Sequence, residues 1–280
     1  MSSIKGKLYI CPTPLGNLED ITLRVLRVLK EADYVAAEDT RRTRKLLSYY
    51  DIHTPVLSFH QHSSQNRVQK LVAMISAGKN MALVSDAGTP GISDPGQALV
   101  AACIAEGIEV DPLPGPCAAI VALSASGYPL ASFTFQGFLP RKDLDKAVAS
   151  LAAIEHPVVV YESPRRIVKL LRSINEYMPQ RELVLGRELT KIHQQILRGT
   201  ARELLPALEE GDLERGEFTV VLGPWRSEEP SWSPSEVLDR VRAHVLAGAS
   251  TRDAVALVSA EIKLPRRQIY AIVNKSKQDL

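Results

Sequence analysis

Met81-Ala82-Leu83-Val84, followed by Ser85-Asp86-Ala87-Gly88-Thr89-Pro90-Gly91-Ile92-Ser93-Asp94-Pro95-Gly96, is the stretch that decides how this chain folds. Four apolar residues in a row, with no polar alternation, describe a strand covered on both faces. The segment after it is punctuated by glycine and proline and carries two aspartates. Such a loop can wrap a ligand with backbone N–H and C=O groups while Asp86 takes a hydroxyl or amine. It lacks the Gly-Lys-Ser/Thr ending of a phosphate-binding P-loop and the G-x-G-x-x-G dinucleotide spacing. A purely structural loop is the alternative.

Outward from this strand the first half alternates strands at 8–10, 34–37, 56–59 and 108–111 with helical patterns at 21–31, about 42–50, about 67–77, about 97–106 and 118–125. Strands alternating with helices imply a largely parallel sheet with helices on both sides. The pattern breaks at Tyr128-Pro129, and 133–139 runs into Pro140-Arg141-Lys142. A second domain follows, with helices at 143–154, 165–177 and 201–209 and strands at 158–161, 183–186, 195–197 and 218–222. Its order suggests a mixed sheet with hairpin elements. Residues 223–234 are rich in Gly, Pro, Ser, Trp and Glu, as a linker is. Three short helices at 235–246, 251–262 and 265–273 close the chain, with Ser250 or Thr251 as a cap and Pro265 in a first turn. The expected organisation is therefore α/β throughout: domains at 1–128 and 129–224 and a helical appendage at 235–280.

The bulk composition narrows the function classes. The chain has 280 residues, 45% hydrophobic and 24% charged, which suits two modest domains and a small addition. A net charge of +2 rules out a global basic field, so any nucleic-acid surface must be a local patch. Aromatic residues make up 5%, which argues against a sheet that stacks bases on exposed rings. Cys11, Cys103 and Cys117 are scattered and odd in number, as buried small hydrophobes in a reducing compartment would be. No segment has the make of a signal peptide or approaches the ~18 apolar residues of a membrane span. The expectation is a cytoplasmic enzyme. His60 and His62 follow the third strand one residue apart, but without a Cys or Glu partner a zinc site is disfavoured, and no metal is expected.

Three more loops follow strands, where ligands bind in open α/β sheets. Pro12-Thr13-Pro14-Leu15-Gly16-Asn17-Leu18 is a stiff turn with open access, or a tight connection with no ligand. Glu38-Asp39-Thr40-Arg41-Arg42-Thr43-Arg44-Lys45 sets carboxylates at a strand end before a basic run. It can hold a base and a phosphate together, or be a solvated helix with local ion pairs. Leu113-Pro114-Gly115-Pro116-Cys117-Ala118-Ala119 puts small residues at a helix start, where a flat ring can press against the backbone. In the second half, Tyr161-Glu162-Ser163-Pro164 and Gly186-Arg187-Glu188-Leu189-Thr190-Lys191 also follow strands, and a structural ion pair is an equal reading of Arg187 and Glu188.

Taken in order, these four loops, with Gly137-Phe138-Leu139-Pro140, Tyr161-Glu162-Ser163, Arg187-Glu188-Leu189-Thr190-Lys191 and Gly216-Glu217-Phe218, resemble the small-subunit ribosomal RNA methyltransferase I family of the tetrapyrrole-methylase-like superfamily. The resemblance covers essentially the whole chain, including the helical appendage. It departs from the family pattern at Ser63, Ser64 and Gln136. It implies two α/β domains of tetrapyrrole-methylase type, usually as a homodimer, that use S-adenosylmethionine to methylate the 2′-hydroxyl of a cytidine in the decoding region of 16S ribosomal RNA. It also implies a cofactor folded between the domains, against Ile10, Asp86, Ala87, Gly88, Thr89, Cys117, Ala118, Ala119, Leu189 and Glu217.

A ribose hydroxyl is a poor nucleophile until its proton is drawn off, so a base or a cation must stand near it. The residues considered for that work are Glu38, Asp39, Arg187, Glu188 and Lys191, with Asp39 and Glu38 favoured. RNA contacts are assigned to Asn17, Arg41, Arg42 and Arg44, with Lys263, Arg266, Arg267, Lys275 and Lys277 as further backbone contacts or a solvated face. The rivals are a small-molecule (tetrapyrrole) methyltransferase, a non-catalytic ribosome-binding factor and a nucleotidase.

Overall fold

The computed structural model describes residues 5–60, 63–209, 216–226, 232–262 and 264–278, the last four by their backbone. His62 and Lys263, and the side chains of Lys275 and Lys277, lie outside the described residues. Residues 1–226 form one compact unit and 227–280 a second.

The first part of the larger unit runs β1 (Lys7–Ile10), α1 (Leu23–Glu31), β2 (Tyr34–Ala37), α2 (Thr40–Tyr49), β3 (Val56–Ser58), α3 (Gln65–Ser76), β4 (Met81–Val84), α4 (Gln97–Ala105), β5 (Glu109–Pro112) and α5 (Ala118–Ser124). The strands form one parallel sheet in the order β3-β2-β4-β1-β5. Strand alternation explains the unbroken apolar run of β4. Met81 and Leu83 join Leu8, Ile10 and Ala36 under α3 and α4, while Ala82 and Val84 join Val35 and Ala37 under α1 and α2. Cys11 and Cys103 are buried in these two cores, and burial pushes both thiols up.

Helix boundaries differ from the periodicity where a polar side chain starts the helix. Thr22 accepts from Val25 N at 3.1 Å, so α1 begins at Leu23 and not at Ile21. Asp39 accepts from Arg41 N at 2.8 Å, which moves the start of α2 back to Thr40.

The second part contains β6 (Thr134–Phe138), α6 (Leu144–Leu151), β7 (Val158–Glu162), α7 (Pro164–Tyr177), β8 (Glu182–Arg187), β9 (Gln195–Thr200), α8 (Ala201–Glu209) and β10 (Phe218–Leu222). The sheet order is β6-β7-β10-β8-β9; β6 and β7 are parallel and the other pairs antiparallel. One face buries Val158, Val160, Leu185 and Val220 against α6, α7 and α8. The other face, with Val159, Val184 and Val221, is covered by Ala119, Ala122 and Leu123 of α5. Thus α5 leaves the first sheet and packs on the second.

Arg181 is fully buried, and its guanidinium donates to the carbonyls of Gly223 (2.8 Å), Leu151 (3.0 Å), Ile154 (3.2 Å) and His156 (3.2 Å). Burial without a carboxylate partner lowers its pKa to about 10.

The smaller unit is a three-helix cluster of α9 (Pro234–Leu246), α10 (Thr251–Ile262) and α11 (Arg266–Gln278) around Val237, Val241, Val255, Val258 and Ile269. Ser233 and Glu236 form a capping box before α9, and Ser250 Oγ accepts from Asp253 N at 3.1 Å before α10. Among the described residues no helix is long and apolar enough to cross a membrane.

Candidate active site

Parallel pairing puts the carboxyl ends of β1, β2, β4 and β5 on one edge, so the loops singled out above meet there. Their contacts are specific. Thr13 and Gly88 exchange two backbone hydrogen bonds of 2.9 Å, and Thr13 Oγ1 donates to Ser85 O at 3.0 Å. Ser85 Oγ donates to Gly88 O at 3.1 Å, and Thr89 Oγ1 to Pro116 O at 2.9 Å. Gly88 has φ +81°, a left-handed conformation that a side chain would strain, and a Cβ there would come within 3.2 Å of Leu15.

The second sheet brings its own loops to the same edge. Tyr161, on β7, accepts from Ala119 N at 3.1 Å through its hydroxyl, which ties that strand to the start of α5. Phe135 and Phe138 meet the Tyr161 ring edge to face, with centroids at 5.1 and 5.6 Å. Buried Glu162 accepts from Ser163 N at 2.7 Å and pairs with Arg166 at 3.2 Å. Arg166 in turn donates to the carbonyls of Leu139 and Pro140, each at 3.1 Å, and so anchors the segment carrying half-exposed Phe138.

Between these loops lies a cavity of about 410 Å³, within the size range of small-molecule sites. Of the residues expected to hold a cofactor, Asp86, Ala87, Gly88, Thr89, Cys117, Ala118, Leu189 and Glu217 line it. Ile10 and Ala119 do not; both are buried behind the wall, in the core under α3 and α4 and against the second sheet respectively.

Of the residues considered for chemistry, Glu38 is on the wall and Asp39 is not. Asp39 caps α2 and pairs with Arg41 at 3.0 Å, and the arginine holds its carboxyl down at about 2. Glu38 is held above the usual range by burial and by Asp86. Arg187, Glu188 and Lys191 also lie off the wall. Lys191 pairs with Glu188 at 2.8 Å and reaches Glu217 at 3.5 Å, and its Cγ lies 2.3 Å from where a Cβ on Gly16 would stand. That cluster joins the first-strand loop to the second sheet.

Arg42 lines the cavity and pairs with Asp86 at 3.4 Å; Asp86 also accepts from Asp39 N at 3.0 Å. Arg41 and Arg44 are exposed on α2, and Asn17 caps a short turn by accepting from Glu19 N at 3.1 Å. Sequence reasoning gave no role to Asp94, Phe138, Tyr161 or Ser163, which also line the cavity. Phe138, Tyr161 and Ser163 share a position at or just after a strand end, whereas Asp94 stands late in the loop between β4 and α4.

Residues 7–205 match the family model of the tetrapyrrole (corrin/porphyrin) methylases. The ribosomal RNA small subunit methyltransferase I of Synechocystis is 44% identical over 271 residues, covering 95% of this chain and 97% of the relative. The protein of the same name from Thermotoga maritima is 47% identical over 78% of this chain and 98% of its own length. Among solved structures, a diphthine synthase superposes with a TM-score of 0.61 at 13% identity, over 78% of this chain and 90% of its own. A uroporphyrin-III C-methyltransferase of Thermus thermophilus complexed with S-adenosylhomocysteine gives 0.55 at 19% identity, over 78% and 97%. These structures share the fold. Identity of this extent over nearly the full length assigns the chain to the ribosomal RNA small subunit methyltransferase I family of the tetrapyrrole methylases.

Proposed function

We propose that this chain transfers a methyl group from S-adenosylmethionine to the 2′-hydroxyl of a cytidine in 16S ribosomal RNA, near the decoding centre. The observation that carries this reading is the cavity walled by strand-end loops of both sheets. Its residues suit the donor. Asp86 and Glu217 offer carboxylates to hydroxyl and ammonium groups, Gly88 allows close backbone approach, and Phe138 supplies an aromatic edge. When bound there, S-adenosylmethionine supplies a methyl group already activated on a sulfonium.

The protein's own task is then to align the acceptor, exclude water and manage one proton. Glu38 stands on the cavity wall for orientation or proton removal, and exposed Arg41, Arg42 and Arg44 on α2 suit phosphate contacts, with Asn17 at the neighbouring turn. That basic helix favours RNA over a small tetrapyrrole acceptor. The halves 1–128 and 129–224 are read as the two domains that share the site, working as a cytoplasmic homodimer. Exposed Ile120, Leu130 and Phe133 are apolar surface available to a second copy.

The test is methyl transfer from labelled S-adenosylmethionine to small ribosomal subunits, with 2′-O-methyl marks mapped on the 16S RNA. A mark on one cytidine ribose supports the reading. A label on a base, or only on a tetrapyrrole offered in competition, overturns it.

A further inference from the structure

Most carboxylates around the cavity are already engaged. Asp86 is held by Asp39 N and Arg42, Asp39 by Arg41, Glu162 by Ser163 and Arg166, and Glu217 by Lys191. Two have no cation partner: among the described residues neither Glu38 nor Asp94 is ion-paired. Asp94 differs from Glu38 in position. It stands on the wall of the main cavity and also on that of a neighbouring recess of about 410 Å³ beside Phe59 and Gln97. Glu38 lines only the first. A group that takes the acceptor's proton must lie within hydrogen-bond reach of the hydroxyl while the donor is bound beside it, and a side chain shared by two adjoining spaces can meet that condition.

The loop fixes Asp94 there. Ser93 before it has φ +62° and Gly96 after it φ +155°, so the chain turns sharply on either side. Ser93 lies close against the second sheet, where a Cβ on Gly137 of β6 would come 2.7 Å from Ser93 Oγ.

We propose that Asp94 is a catalytic residue that accepts the proton of the acceptor hydroxyl during methyl transfer. The inference rests on the RNA methyltransferase reading above. As the hydroxyl oxygen forms its bond to the methyl carbon, the carbon–sulfur bond breaks and its electron pair stays on sulfur. The O–H proton passes to the Asp94 carboxylate and from there to solvent.

The surroundings fit that role. Burial raises the Asp94 carboxyl to about 6, helped by the like charges of Glu38, Asp86 and Glu217 and opposed by the Ser85 hydroxyl. Arg42 and His60 moderate Glu38, and the Tyr161 phenol nearby is kept neutral by its own burial. A carboxylate tuned upward remains ionised at neutral pH and takes a proton more readily than an ordinary one.

Asp94→Asn and Asp94→Glu in the full chain test this through three readouts: methyl transfer to small ribosomal subunits against pH, S-adenosylmethionine affinity by calorimetry, and thermal unfolding of the ligand-free protein against pH. Wild-type turnover is expected to rise as pH passes through 6. Asp94→Asn lowers kcat by about 100-fold or more and loses that limb. Its donor affinity stays within about threefold of wild type, and Asp94→Glu recovers part of the rate. A carboxyl raised in the folded state binds its proton more tightly there than in the unfolded chain. Wild type therefore loses stability relative to Asp94→Asn as pH rises from about 4 to 6. Equal turnover and an unchanged pH profile in Asp94→Asn overturn the assignment. So does a loss of donor affinity that accounts for the loss of rate, which makes Asp94 a binding residue. Wild-type protein that labels no subunit overturns the substrate reading and this inference with it. Labelling by wild type and Asp94→Asn alike removes only the role of Asp94.

Discussion

Asp86 joins two strand ends by accepting from Asp39 N and pairing with Arg42, yet it still faces the cavity. Its carboxylate fixes the floor and offers an acceptor to the ligand. Asp86→Ala is expected to weaken S-adenosylmethionine binding by about tenfold, the scale of one charge-assisted hydrogen bond. Calorimetry reads the loss, and an unchanged circular dichroism spectrum shows that the fold survives. Unaltered affinity refutes the role. At this scale the sequence singled out the loops that line the cavity and not always the side chain that faces it. Glu38 and Asp39 are neighbours at one strand end, and alternation sends them in different directions. Which of them faces the cavity depends on the register of β2 and on the helix cap that Asp39 supplies. The sequence alone contains neither. Nothing in the sequence distinguishes Asp94 within its loop, because its place on the walls of two adjoining spaces exists only in the fold.

Among the elements, α2 presents Arg41 and Arg44 to solvent while burying Thr43 and Leu47, so its basic side is a surface and not part of a core. Arg41→Ala is expected to weaken RNA binding and reduce the slope of log affinity against log salt by about one. A filter-binding series across salt concentrations measures this, and an unchanged slope counts against a phosphate contact. The parallel sheet was legible because β4 is apolar on both faces and helices alternate with strands around it. The allegiance of α5 was not, since small residues at 118–125 suit either sheet. The hydrogen bond from Ala119 N to Tyr161 and the packing of Ala122 and Leu123 on Val159 and Val184 decide it. Arg181 also acts between elements, tying the end of α6 to the start of β8 and the end of β10. Arg181→Met leaves buried carbonyls without a donor, so denaturant unfolding should show a loss of about 3 kcal/mol. A change below about 0.5 kcal/mol contradicts this account of the buried guanidinium.

The whole molecule divides into a unit of residues 1–226 that contains the entire cavity and a separate three-helix unit. A protein ending at Arg226 is expected to unfold cooperatively and bind S-adenosylmethionine within about twofold of the full chain. Calorimetry on the truncated protein checks it, and absent binding places part of the donor site in the helical unit. The central claim concerns what the cavity does for an RNA ribose. Its most direct measurement is mapping of 2′-O-methyl groups on 16S RNA after small ribosomal subunits meet the purified chain and S-adenosylmethionine. The account predicts one new mark, on a cytidine near the decoding centre, that disappears with Asp86→Ala at limiting donor. A 16S RNA without a new 2′-O-methyl group, or marked equally without the protein, contradicts it.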